Sequence, residues 1–308
     1  MRRPAVTLIE VLVSMFIMAI GMLALLVLFP LGAVSMGQAL KDDRCRSTAS
    51  MAENVALAMN VRHDPNVTGV LGFLNPINPI PPGNPAVYVD PYGFMQGLTV
   101  LGGNPLIPTA NIPRVTPSFV TLPAQADRWF CLPDDITFLE NGTPDLVNTG
   151  GSVQRGLRYS FAYLLTRPQP MVDDLVQLTV VVYSGRPNSG PLALEPSYAA
   201  TNYVGGIFVP PNPPSPNSVL VSWTPPLQTA PNIKFGSWIL DTSLNNTPSF
   251  YRVANITEGP MPNTLMLEVL PNIRPGITPP PGSPSIITAI TVMDSVAEVF
   301  DKGLGWVP

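Results

Sequence analysis

Charge is scarce in this chain, and so are histidine and cysteine. Only 12% of the 308 residues are charged, and 16 Lys and Arg against 20 Asp and Glu leave a net charge of −4. That inventory cannot build the basic field that holds a nucleic-acid backbone, so nucleic acid is not expected as a partner. The single histidine is His63. With no second one, a metal site built on histidines cannot be completed, and a cap-like or surface role beside Asp64 is expected over catalysis. Two cysteines, Cys45 and Cys131, are too few for a disulfide framework and lack zinc-site spacing; whether they bridge each other is left open. No phosphate-binding loop, nucleophile elbow or zinc-helix motif occurs. The acidic pairs Asp134-Asp135 and Asp173-Asp174 are read as solvated loop charges rather than as part of a calcium site, which needs about six or more oxygens. The expectation is a chain with no cofactor and no catalytic residue, not an enzyme.

What the chain has in excess is proline, with 39 residues against a usual share of about 5%. Each one fixes φ and deletes a backbone donor. Apart from Pro4 and Pro30 they begin only at Pro65, so the first sixty or so residues and the remainder are different objects. Within the first, Val11 to Leu40 contains no charged residue, a run well beyond the ~20 residues that span a bilayer as helix. A cleaved secretory signal has an apolar stretch of about 7–15 residues followed by a small-residue cleavage site. Here the stretch is too long, and the small residue, Ala5, precedes it. Cleavage at Ala5 leaves the apolar helix on the mature chain.

A single carboxylate, Glu10, interrupts the start of the apolar region. Its insertion costs about 2.5–3.5 kcal/mol at a helix centre, so it needs a partner or a function. A cut after Ala5 places the new amine of Val6 one helical turn away, where the two charges neutralise each other. The string VTLIEVLVSMFIMAIGMLALL behind the basic leader containing Arg2 and Arg3 resembles the prepilin N-terminal cleavage and methylation motif of type IV pilin-like proteins. That motif is usually a glycine followed by Phe-Thr-Leu-Ile-Glu. Thr7, Leu8, Ile9 and Glu10 match it, while Ala5 stands for the glycine and Val6 for the phenylalanine. The resemblance is to minor pilins and to type II secretion pseudopilins alike.

The resemblance implies cleavage between Ala5 and Val6 and N-methylation of Val6 by a prepilin peptidase/N-methyltransferase, with Glu10 guiding assembly. It further implies other pilins or pseudopilins, an inner-membrane assembly platform and the lipid bilayer as partners. The location implied is the bacterial inner membrane, single-pass, N-terminus cytoplasmic and head extracytoplasmic, with incorporation into a surface or periplasmic filament. Arg2 and Arg3 before the span and Lys41, Arg44 and Arg46 after it leave orientation undecided by charge alone. A membrane-anchored binding protein that does not assemble is the alternative from another class.

The fold class expected is α+β, a long N-terminal transmembrane helix followed by a Pro-rich, mainly antiparallel β head. Four stretches are distinguished: a leader (1–5), the hydrophobic helix and its extension (6–63), a Pro/Gly-rich irregular region with short strands (64–156) and a β-rich head (157–308). In the extension Cys45, Thr48, Ala52, Val55 and Met59 share one helical stripe, and Gly21 and Pro30 are possible softening points of the helix. Strands are expected at Ala86–Val89, Ile136–Leu139, Leu157–Leu165, Leu175–Tyr183, Ser218–Trp223, Phe235–Leu240, Phe250–Ile256, Leu265–Leu270 and Ile286–Met293, as an antiparallel sheet or small sandwich.

Overall fold

The computed structural model describes residues 8–71, 86–95, 106–107, 112–132, 159–167, 175–186, 195–202, 217–226, 228–243, 248–271, 287, 289–293 and 295–306. The expected strand Ile136–Leu139 and both acidic pairs lie outside them. Two compact units divide at Ser47/Thr48.

Helix α1 runs unbroken from Leu8 to Ala58 through both Gly21 and Pro30. The first unit contains its apolar part. The second unit takes up α1 at Thr48. Of the expected stripe, Cys45, Thr48, Ala52 and Val55 are buried, joined by Ala49 and Ala56, whereas Met59 lies past the helix end and is half-buried. Small side chains there let a neighbouring backbone approach closely. Asn60, in the left-handed conformation at φ 51°, turns the chain out of the helix, a role asparagine tolerates better than most residues. A single 3₁₀ turn (Val61–His63) follows, and then α2 (Pro65–Leu71). Asp64 caps α2: Pro65 occupies the first helical position, and Asp64 Oδ1 accepts from Asn66 N at 2.9 Å. His63 Nδ1 pairs with the Asn60 side-chain oxygen.

The sheet draws on widely separated segments. It contains β1 (Ala86–Val89), β2 (Leu106–Ile107), β3 (Ile112–Val115), β4 (Tyr159–Thr166) and β5 (Leu175–Ser184). Two short helices, α3 (Pro91–Met95) and α4 (Pro123–Trp129), lie between these strands in sequence. The barrel strands are β6 (Ser197–Asn202), β7 (Ser218–Ser222), β8 (Trp238–Asp241), β9 (Ser249–Glu258), β10 (Thr264–Leu270) and β11 (Ala289–Val292). The last strand, β12 (Val296–Trp306), returns to the sheet. Its order is β12-β5-β4-β1-β3-β2, antiparallel except for the parallel pair β1–β3. The other six strands close into an antiparallel barrel, β10-β7-β6-β11-β8-β9.

The expected antiparallel pairing of β4 with β5 is present, with Tyr163 opposite Val180. The single sheet or sandwich is replaced by a sheet plus a barrel. The reason is that β10 pairs with β9 on one side and with β7 on the other, which removes both edges. Strand spacing carries no trace of that closure.

Alternation along the strands divides the sheet into two faces. On one, the Tyr163 hydroxyl donates to the carbonyl of Ala52 in α1 at 2.6 Å. Phe161 and Phe130 pack edge and tilt against Tyr163 and each other, with centroids 5.2–5.8 Å apart. On the other face, Tyr88, Ala162, Leu164, Val181 and Tyr183 share a core with Leu240, Phe250 and Met293 of the barrel side. The barrel interior is a separate cluster that includes Val219, Val221, Ile239, Val253, Leu267 and Ile290. In the second unit the sheet is thus a middle layer, with the end of α1 on one side and the barrel on the other.

Candidate functional site

Among the residues expected to be processed or to guide assembly, Leu8, Ile9 and Glu10 are described, and they form the first turn of α1. Ala5, Val6 and Thr7 lie outside the described residues. Glu10 is exposed, in the first turn where a carboxylate matches the positive end of the helix dipole. Around and beyond it, the helix shows large apolar side chains on every side: Leu8 is 79% exposed and Phe29 81%. The two hydroxyls in this stretch are satisfied within the helix, Ser14 Oγ donating to Val11 O at 2.8 Å and Ser35 Oγ to Leu31 O at 2.9 Å. This combination suits a non-aqueous environment, where polar groups must find partners inside the segment. By length and composition α1 can cross a membrane.

Residues 1–26 match the prokaryotic N-terminal methylation motif. The chain thus carries a prepilin-type N-terminus, consistent with a type IV pilin-like protein. The motif implies processing by a prepilin peptidase and, with the apolar helix, membrane association. No curated protein and no solved structure matches the chain.

In the second unit, polar ties hold the last turns of α1 and the residues that follow it, two of them to β12. Lys302 Nζ lies 2.7 Å from Glu53 Oε2, and Arg62 Nη2 donates to Gly303 O at 3.1 Å. A Cβ at Gly305 would meet the Arg62 guanidinium, which would have to shift to admit it. A third tie runs from Asp64, whose Oδ2 accepts from both the backbone N and the Oγ of Ser118, at 2.8 and 2.7 Å.

The head also contains an ionic centre that sequence reading missed. Asp90, directly after β1, is 0% exposed, and its carboxylate accepts two hydrogen bonds from Arg186, just past β5, at 2.9 and 2.7 Å. Gly93 N donates to Asp90 Oδ1 at 2.9 Å. Arg114 of β3 places Nη1 3.1 Å from Asp90 Oδ2, as an ion pair without hydrogen-bond alignment. Its Nη2 donates to Glu195 at 2.5 Å, and Glu195 shortly precedes the barrel's first strand. Arg186 stacks at 4.0 Å over the Tyr183 ring, and the Tyr183 hydroxyl meets that of Tyr88 at 2.5 Å.

The charges of this centre sum to zero, and each acts on its neighbours' protonation. Burial pushes the Asp90 carboxyl upward, but Arg186 and Arg114 outweigh it and hold it below its usual range. Burial alone lowers the two guanidinium groups, yet the carboxylates keep both above their ordinary value. Tyr88 and Tyr183 are raised, mainly by burial. This buried, charge-balanced cluster pairs its charged side chains with one another. Its effect is to fix where β1, β3, β5 and the start of β6 meet. The available signal was Arg114 inside the strand-like Ile112-Pro113-Arg114-Val115, a lone charge in a chain with few.

Cys45 and Cys131 are both buried and are not disulfide-linked. Among the described residues no group of three or more His, Cys, Asp or Glu side chains is placed to hold a metal ion.

Proposed function

We propose that this protein is a structural subunit, a minor pilin or pseudopilin, of a type IV pilus-like filament. In this reading it is not an enzyme; the chemistry is done to it. A prepilin peptidase cuts between Ala5 and Val6 and methylates the Val6 amine, Thr7, Leu8 and Ile9 presenting the site. The head lies outside the inner membrane with the N-terminus cytoplasmic, and assembly draws the apolar helix from lipid into a bundle of other pilins.

The observation that carries the reading is the methylation motif at residues 1–26, which runs into a helix, Leu8–Ala58, whose apolar surface is uncovered. Each large aliphatic side chain moved out of water contributes about 1.5–3 kcal/mol, so this surface needs lipid or other helices around it. Glu10 supports assembly over passive anchoring. A simple anchor gains nothing from a carboxylate at that depth, whereas a filament subunit uses it to pair with the amine of a neighbour.

Substituting Glu10→Ala tests the assembly step. The variant should still be cleaved when a prepilin peptidase is co-expressed, while its recovery in sheared filaments or cross-linked oligomers falls at least tenfold. Unchanged incorporation would remove the docking role of Glu10.

A further inference from the structure

A cleft of about 220 Å³ opens where the sheet meets the barrel. Its two walls differ in chemistry. The sheet wall sets four polar residues beside Leu164 and Val299: Thr166 and Gln177 are direct partners across β4 and β5, and Thr179 and Asp301 are direct partners across β5 and β12. These four residues extend the same face whose other members, Ala162, Leu164, Val181 and Tyr183, are core. The barrel wall carries the rings of Trp238 in β8 and Phe250 in β9. Alternation along these paired strands turns both rings toward the sheet, Trp238 standing opposite Arg252 and Phe250 opposite Leu240, while Tyr251, opposite Ile239, faces the barrel interior.

We propose that this cleft binds a neutral, hexose-sized carbohydrate. An aromatic wall offers an apolar platform for the C–H face of a sugar ring, and a facing wall of hydroxyls, carboxamide and carboxylate suits its hydroxyl groups. The charge balance selects among polyols. Among the described residues that line the cleft, Asp301 is the charged group, and the Arg252 guanidinium stands 5.9 Å over the Trp238 ring, a balance that fits a neutral sugar better than a phosphorylated or acidic one. Asp301 is held in place by Gln177 Nε2 at 2.7 Å and Gly303 N at 2.9 Å, which presents a pre-ordered polar wall and lowers the ordering cost of binding. Trp238 adds a further incentive. Its Nε1 is buried without a hydrogen-bond partner among the described residues, and an oxygen acceptor brought by a ligand would satisfy it. This inference stands independently of the filament reading, since it uses only head residues.

The test is titration of the detergent-solubilised full-length chain with neutral monosaccharides, N-acetylated hexoses and glucuronic acid, read by saturation-transfer NMR and tryptophan fluorescence. Saturable binding of at least one neutral sugar is expected, with weaker binding of glucuronic acid. Trp238→Ala should weaken it about tenfold or more. Because that variant risks the core, Thr179→Val is run beside it, with thermal unfolding as the check on folding; it should lose affinity while melting as the parent does. No saturable binding by any neutral sugar would overturn the proposal. So would affinity unchanged in a folded Thr179→Val and Trp238→Ala pair, or binding of a proline-rich peptide with none of the sugars.

Discussion

Asp90 shows how much a single residue decides in this head. It is buried among two guanidinium groups, and removing its charge leaves Arg186 and Arg114 with Glu195 alone. Breaking a buried pair from one side costs about 3–5 kcal/mol. Asp90→Asn is therefore expected to lower the unfolding free energy by that amount, measured by denaturant titration in detergent. The pH dependence follows from the direction of the shift. A carboxyl held below its ordinary ~3.9 contributes stability that is complete above that value and is lost as pH falls through the lowered folded value. Acid unfolding should thus begin below about pH 4 and be blunted in Asp90→Asn. The tyrosines act at the other end. Tyr88, Tyr163 and Tyr183 are raised by burial, so their contribution is complete below the ordinary ~10 and is lost as pH rises through the raised folded values. Stability flat to about pH 10 and falling above it, followed by circular dichroism, is the expected profile.

Among the elements, the long helix and the core strands were legible because their signals are local. The stripe Thr48, Ala52, Val55 followed from period alone, and β4 and β5 from runs of β-branched and aromatic residues. Strand β12 was not found, although it spans 11 residues. Its sequence carries Glu298, Asp301, Lys302, Gly303 and Gly305, the charges and glycines by which an edge strand resists further pairing, and these erase the alternation that marks a strand. Register shifts at Val296/Glu298 and Asp301/Leu304 accompany them. Strand β6 was missed because Ser197-Tyr198-Ala199-Ala200-Thr201-Asn202 is poor in β-formers. The joint between α1 and the sheet gives a prediction at this scale. Tyr163→Phe keeps the packing against Phe130 and Phe161 but strips the donor from Ala52 O, leaving a buried carbonyl short of one bond. A loss of about 1–2 kcal/mol is expected, visible as a lower midpoint with unchanged denaturant slope. Lys302→Ala should cost less, about 0–1 kcal/mol, because the Glu53 pair is partly exposed.

At the scale of the whole molecule, the two halves of the chain were told apart by composition: proline is nearly absent before Pro65 and frequent after it. The α+β class and the prepilin-type N-terminus were legible for the same reason, since hydrophobic length and the Thr7-to-Glu10 string need no tertiary knowledge. Barrel closure and the Asp90 centre were not, because both depend on contacts between residues far apart in sequence. Glu195 and Arg114 are separated by 81 positions, and no local pattern announces their meeting. The exposed apolar helix predicts that the full chain requires detergent or lipid, measured as its distribution between membrane pellet and supernatant.

The central claim is that the N-terminus is a processed prepilin terminus, and mass spectrometry of the mature chain tests it most directly. The account predicts a chain that begins at Val6 with a methylated amine. A chain that still begins at Met1, or one cut after Leu40 so that the apolar helix is gone, would contradict it.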